Sequence, residues 1–127
     1  MSETIDVLKD PSGQQPIPTV WRETLAAIVE RIRHGDREFQ SGPPNVTNRN
    51  DNVSRYMEES LTAYGATLTA LPESTWQTSV CQWMDGFWEV YVDLYTEQEG
   101  RSDLVLFLLV RESGLGFVFE IQGIYVP

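Results

Sequence analysis

The spacing of apolar residues changes at Gly65, and this change constrains the fold more than any other feature of the chain. Before Gly65, apolar residues recur every three or four positions, as they do along one face of a helix. After Gly65 they alternate with polar residues, which is typical of half-buried strands. Helices followed by strands are typical of α+β proteins. The sequence therefore predicts two N-terminal helices packed on one face of an antiparallel meander of about four strands.

Two helices are predicted in the first half of the chain. The first begins at Thr19 and ends at Gly35, which suits a C-terminal cap. The second follows Asp51 as its N-cap and ends at Gly65. Residues 1–18 carry prolines and polar residues with no sustained period, and we interpret them as an irregular leader to a single domain of residues 19–127.

Strands are predicted after Gly65 from alternation and turn residues. The predicted strands are a short Ala66–Leu71, then Trp76–Met84, Phe87–Tyr95, Asp103–Val110 and Phe117–Val126. Asp85-Gly86 suits a two-residue hairpin turn, so the strands on either side of it should pair antiparallel. The segment 103–110 is nearly all apolar, which indicates a strand covered on both faces.

The charge of the chain limits the classes of partner that it is expected to bind. There are 9 basic and 19 acidic residues, a formal net charge of −10, and −7 of it lies after Gly65. Such a surface disfavours nucleic acid and anionic membranes as partners. We expect a cytoplasmic protein, because the sequence shows no membrane-spanning apolar run and no signal-peptide pattern.

Residues suited to catalysis or metal binding are scarce. Cys81 is the single cysteine and His34 the single histidine. Transition-metal sites use several such ligands, and a lone cysteine is a weak catalytic signature. The acidic turn around Gly100 does not match a calcium loop, because Tyr95 and Leu106 would occupy its first and last ligand positions. The sequence therefore predicts no catalytic residue, metal or cofactor.

The strand Phe87–Tyr95 carries the one surface pattern that suggests binding. One of its sides is apolar and is predicted to face the core. The other side alternates aromatic and acidic residues, and two more acids follow in the next turn. The predicted partner-binding residues are Phe87, Glu89, Tyr91, Asp93, Tyr95, Glu97 and Glu99. Aromatic residues concentrate at the centres of protein interfaces, while rim acids attract basic partners.

Three segments resemble those of a family of small uncharacterised bacterial proteins. They are Val80-Cys81-Gln82-Trp83-Met84, Glu99-Gly100-Arg101-Ser102-Asp103-Leu104-Val105-Leu106 and Ile124-Tyr125-Val126-Pro127. The resemblance implies a bacterial source. Because no activity is assigned to that family, it implies no site residue.

The function predicted from these observations is that of a non-enzymatic acidic binding protein. Its most concrete form is an immunity or antitoxin-like neutraliser of a basic toxin such as a nuclease. One alternative is a small-molecule binding domain whose pocket is lined by some of Trp21, Trp76, Trp83 and Trp88. Another is a homo-oligomeric accessory domain, in which a second copy of the chain, or the leader, covers the aromatic side of the sheet.

Overall fold

The computed structural model describes residues 4–127, which form two helices and one six-stranded sheet. In chain order the elements are β1 (Gln15–Pro16), α1 (Thr19–Arg33), β2 (Val46–Asn48), α2 (Val53–Tyr64), a 3-10 helix (Glu73–Gln77), β3 (Val80–Trp83), β4 (Trp88–Thr96), β5 (Gly100–Ser113) and β6 (Gly116–Tyr125). The strand order across the sheet is β1-β3-β4-β5-β6-β2.

The prediction of two helices packed on a four-stranded antiparallel meander is wrong. The sheet has six strands and is mixed, because β2 runs parallel to β6 while the other pairs are antiparallel. The two strands that sequence analysis missed, β1 and β2, lie at opposite edges of the sheet. Strands of two and three residues are too short to show alternation, so only their pairing identifies them.

Strand β2 lies in a segment whose composition predicts a loop. Its pairing with β6 is extended at both ends by backbone bonds: the Phe119 N–H donates to the Asn45 carbonyl and the Arg49 N–H to the Ile121 carbonyl, both at 2.9 Å. The Asn45 side-chain amide also donates to the Phe117 carbonyl at 3.0 Å. This edge strand is therefore defined by hydrogen bonds to a strand some 70 residues later in the chain.

The segment 4–18 packs against one edge of the domain. Gln15 pairs with Cys81 and Pro16 with Val80, which makes β1 the neighbour of β3. Further along the same edge, the Trp88 indole N–H donates to the Leu8 carbonyl at 2.9 Å. The residues predicted as an irregular leader thus complete a sheet edge and satisfy a buried indole.

The predicted strand Trp76–Met84 begins later than its alternation indicates. Trp76 and Gln77 belong to the 3-10 helix, and β3 begins at Val80. The Thr75 hydroxyl donates to the Asp93 carbonyl at 2.7 Å, and the Asp93 N–H donates to the Ser79 hydroxyl at 2.9 Å. Along this part of β4, hydrogen bonds with the Thr75 and Ser79 side chains therefore replace the backbone hydrogen bonds of a neighbouring strand. The predicted strand 66–71 is reduced to a single bridge between Leu68 and Thr96.

Several local predictions are confirmed. Strands β3 and β4 pair antiparallel across the Asp85-Gly86 turn, where both residues have positive φ, 58° and 133°. Helix α1 begins at Thr19, and Gly65 caps α2 in the left-handed conformation with φ 73°. The N-cap of α2 is Asn52, one residue after the predicted position. Neither helix of the described chain is long and apolar enough to cross a membrane.

The core lies between the helices and one face of the sheet, which we call the inner face. Trp21 of α1 packs edge-on against Trp88 of β4, with ring centroids 5.1 Å apart and planes at 72°. Both indoles are 0% exposed. The inner face contributes Trp88, Val90, Val92, Leu94, Leu104, Leu106, Leu108, Val110, Phe119 and Ile121, all buried. Helix α2 adds Val53, Met57 and Leu61 to the same cluster.

We predict that Trp21→Ala destabilises the fold by about 3 to 5 kcal/mol, because it removes a large buried side chain and leaves a cavity beside Trp88. Val20→Ala is the matched control, since Val20 is 65% exposed on the same helix. The measurement is urea unfolding followed by tryptophan fluorescence and circular dichroism. Equal losses in the two variants would contradict the packing described.

Candidate functional site

The face of the sheet opposite the helices carries the aromatic and acidic residues that sequence analysis singled out. We call it the outer face, and strand register sets its rows. Three rows run across β4, β5 and β6: Glu89–Leu109–Glu120, Tyr91–Phe107–Gly123 and Asp93–Val105–Tyr125. The outer side chains Val118 and Tyr125 are 38% and 39% exposed. Val118 and Tyr125 therefore reach solvent, whereas Val105 in the third row is buried, at 7% exposed.

An aromatic stack forms the centre of the outer face. Tyr91 of β4 and Phe107 of β5 lie directly opposite each other, with ring centroids 4.9 Å apart and planes within 3° of parallel. Tyr125 of β6 approaches Phe107 from the next row, with ring centroids 6.4 Å apart and ring planes at 73°. Cross-strand aromatic pairs of this kind stabilise a sheet and hold the rings in place. The face therefore presents a pre-ordered aromatic surface.

Carboxylates surround this aromatic centre. Glu89 and Asp93 flank Tyr91 along β4, and the Tyr91 hydroxyl donates to Glu89 Oε1 at 3.2 Å. Glu120 lies on β6, where its Oε2 is 3.8 Å from Arg111 Nη1. Glu89, Asp93 and Glu120 thus accompany Arg111 around the aromatic centre, so the charge of this part of the outer face is negative.

The structure brings together four of the seven predicted partner-binding residues. Glu89, Tyr91 and Asp93 share the outer face as predicted, and Phe87 lies at its end beneath Arg111, whose guanidinium carbon is 5.5 Å from the ring centroid. Register changes in β4 between Asp93 and Tyr95. The predicted set is therefore contiguous only as far as Asp93.

The other three predicted residues lie apart from this group. The Tyr95 hydroxyl is 3.3 Å from the Ser74 hydroxyl in the 3-10 helix. Glu97 and Glu99 are exposed in the turn between β4 and β5, and Glu99 Oε1 accepts a hydrogen bond from the Tyr64 hydroxyl of α2 at 2.5 Å. Glu99 is thus tied to the helical side of the molecule.

Three further candidate residues on β5 and β6 were not predicted from the sequence. Arg111, Glu120 and Tyr125 reach the outer face through the pairing of these strands. Alternation alone would have placed Arg111 there, because it follows the buried Val110. Tyr125 could not be placed in this way, because the pairing of β5 with β6 shifts between Phe107 and Leu108.

The surroundings of Tyr91 raise the pKa of its hydroxyl group. Burial raises the pKa of Tyr91 to about 12, and the charge of Glu89 and its hydrogen bond to the hydroxyl add to the rise. Ionising Tyr91 would put a second negative charge beside the Glu89 carboxylate. Tyr91 therefore remains a neutral hydrogen-bond donor at physiological pH.

Cys81 and His34 occupy ordinary structural positions. Burial raises the pKa of Cys81 to about 11, so its thiol is protonated at neutral pH, and its Sγ lies 3.6 Å from the Pro16 carbonyl. His34 is the C-cap of α1, with its Nε2 3.3 Å from Arg33 Nη1. A protonated, buried thiol is not the form that attacks a substrate. Among residues 4–127, no three His, Cys, Asp or Glu side chains cluster closely enough to hold a metal ion.

The four tryptophans do not line a common pocket. Trp21 and Trp88 are fully buried in the core. The ring centroids of Trp83 and Trp88 lie 4.6 Å apart. The Lys9 Nζ atom lies over the Trp83 ring, 5.4 Å from the centroid of that ring. Trp76 lies beneath the Arg22 guanidinium at 5.5 Å and lines an open groove of about 820 Å³ between β1, α1 and the 3-10 helix.

The chain belongs to the family described as a domain of unknown function, DUF7668, whose model matches residues 29–127. The match begins within α1 and includes all three segments on which the resemblance to uncharacterised proteins rests. No curated protein and no solved structure matches the chain. The outer face and its chemistry are therefore the basis for inferring function.

We predict that Tyr91→Phe reduces the loss of stability at alkaline pH. In the native protein Tyr91 stays protonated to about pH 12, whereas an unfolded tyrosine ionises near pH 10, at about its usual pKa. Its contribution is fully present below pH 10 and is lost as pH rises through about 10 to 12. Urea unfolding at pH 9, 10 and 11 should show a steeper decline for the native sequence than for the variant. Parallel declines would contradict the raised pKa.

Proposed function

We propose that the protein is a non-enzymatic acidic binding protein that docks a basic protein on the outer face of its sheet. The single observation that carries the proposal is the Tyr91–Phe107 stack, an aromatic centre that is surrounded by Glu89, Asp93 and Glu120 and reaches solvent. Interface centres are rich in aromatic residues, and surrounding acids attract cationic partners and fix their orientation.

We propose further that the partner is a basic toxin such as a nuclease, which makes this protein an immunity or antitoxin-like neutraliser. A nuclease active site carries positive charge because it binds a polyanion. A rigid surface with ordered carboxylates can occupy such a site without any chemistry of its own. The negative charge concentrated after Gly65 supports this pairing, since the outer face belongs to that half of the chain.

The absence of an enzymatic role is part of the proposal. It is supported by Cys81, whose thiol is buried and protonated, and by His34, which caps a helix and neighbours Arg33. We also propose a bacterial source, supported by the three resembling segments, and a cytoplasmic location, where a single free cysteine stays reduced.

A second candidate function is the binding of a small molecule in the groove beside Trp76. The groove of about 820 Å³ is large enough for a ligand of ordinary size, and it is lined by Gln14, Gln77, the largely buried Trp76 and Arg22, whose guanidinium also donates to the Ile17 carbonyl. It differs from the predicted aromatic pocket, since Trp21 and Trp88 are fully buried in the core. Ligand screening by thermal shift, with Trp76→Phe as the variant, separates this function from protein docking.

We predict that Tyr91→Ala weakens binding of an identified basic partner by about 2 kcal/mol, mainly through faster dissociation, because it removes an interface anchor. Tyr56→Ala is the matched control, since Tyr56 is 50% exposed on α2. The partner is captured from the native host, identified by mass spectrometry, produced separately and measured by biolayer interferometry. Equal effects of the two variants, or an acidic partner, would refute docking on the outer face.

Charge removal on the outer face should act on association. We predict that Glu89→Gln combined with Asp93→Asn slows association and weakens its salt dependence, because rim charges act through long-range attraction. Glu97→Gln combined with Glu99→Gln changes the net charge equally but lies in the turn, and should have the smaller effect. If the native protein is a dimer that Tyr91→Ala dissociates, the outer face is instead a contact between copies of this chain.

A further inference from the structure

The aromatic stack of the outer face ends at an open position on β6. Tyr91 and Phe107 are paired across neighbouring strands with parallel rings, so the stack runs across the sheet from β4 to β5. The next position in this row is Gly123, which pairs with Phe107. A Cβ atom placed on Gly123 meets no atom within 4 Å. The row therefore ends on β6 without a side chain, at an open position paired with Phe107 that we call the Gly123 slot.

A carboxylate held in position lies next to this slot. Glu120 occupies the adjacent row of β6, and Gln122 Nε2 donates to its Oε1 at 2.9 Å. Tyr125 stands on the other side of Gly123, tilted by 73° to the Phe107 ring. The slot thus has an aromatic wall at Phe107, a backbone floor at Gly123 and an ordered negative charge at Glu120.

The outer face already contains one example of the group that fits such a slot. The Arg111 guanidinium lies 5.5 Å from the centroid of the Phe87 ring and 3.8 Å from Glu120 Oε2. A planar guanidinium stacks on an aromatic ring and pairs with a carboxylate at the same time, whereas a lysine ammonium does not offer both planar contacts. The Gly123 slot offers a second ring, Phe107, in the row next to the same carboxylate, so an incoming guanidinium would share Glu120 with Arg111 and Gln122.

We propose that the Gly123 slot receives an arginine side chain of the basic partner, with its guanidinium group stacked on Phe107 and paired with Glu120. This inference rests on the proposed function for the existence of a partner protein. It adds the chemistry of recognition: the partner is anchored by arginine specifically, and positive charge alone is not sufficient.

The test uses the ¹⁵N-labelled chain of 127 residues and two tripeptides with blocked ends, Gly-Arg-Gly and Gly-Lys-Gly. The backbone amide signal of Gly123 reports directly on the slot. We expect the arginine peptide to shift this signal and to bind at least about 3-fold more tightly than the lysine peptide. Equal binding of the two peptides, shifts spread evenly over the acidic surface, or no shift at Gly123 would each overturn the inference.

Two variants and one matched control define the site. Phe107→Leu keeps an apolar side chain but removes the ring, and should weaken binding of the arginine peptide by about 3- to 10-fold. Glu120→Gln should weaken it by about 2- to 5-fold. Glu97→Gln makes the same change of charge in the exposed turn and should leave binding at the slot unchanged. If the amide spectrum shows that Phe107→Leu does not fold, Glu120→Gln is compared with Glu97→Gln instead. Equal binding of the arginine peptide by these two variants would then overturn the inference.

The outcomes separate this inference from the proposed function. If an identified basic partner depends on Tyr91 while the arginine peptide leaves Gly123 unshifted, docking on the outer face stands and the arginine slot is refuted. If the arginine peptide binds at Gly123 but no basic partner exists, the slot stands and the neutraliser function is refuted. Replacing the partner's contacting arginine by lysine should weaken the native complex by the same factor that separates the two peptides.

Discussion

The pairing of β5 with both β4 and β6 is the constraint on which the rest of the structure depends. Its inner residues, Leu104, Leu106, Leu108 and Val110, are fully buried, and this burial fixes which side of every neighbouring strand faces the core. A shift of one residue would exchange the two faces of the sheet. The apolar run in β5 predicts cover on both faces; on the outer face Val105 is buried, but Phe107 and Leu109 are only half-buried. The solvent-reaching aromatic centre is therefore a consequence of how the core is packed.

Two irregularities in the sheet shape the candidate site. The shift between Asp93 and Tyr95 separates the outer face from the turn that carries Glu97 and Glu99. The shift between Phe107 and Leu108 brings Gly123 opposite the Phe107 ring. Bulges of this kind often redirect side chains near functional sites. Here they leave Glu97 and Glu99 outside the outer face and an open position at the end of the aromatic stack.

The charge of the molecule is consistent with the chemistry proposed for the outer face. A net charge of −10 would attract many cations weakly, but weak attraction does not distinguish one partner from another. Specific recognition requires groups held in place, which the Tyr91–Phe107 stack and the bond from Gln122 to Glu120 provide. Membership of a family without an assigned function makes this local arrangement the strongest guide to what the protein binds.

The sequence by itself determined the local elements whose signals are carried by neighbouring residues. The two helices, the Asp85-Gly86 hairpin and the common side of Glu89, Tyr91 and Asp93 were all predictable, because side-chain periodicity and turn residues encode them directly. Only the tertiary structure decided the edge strands β1 and β2, the replacement of strand pairing by Thr75 and Ser79, and the placement of Gly123 beside Phe107. These features depend on hydrogen bonds and register between segments distant in the chain, and such pairings leave no periodic pattern in either segment alone.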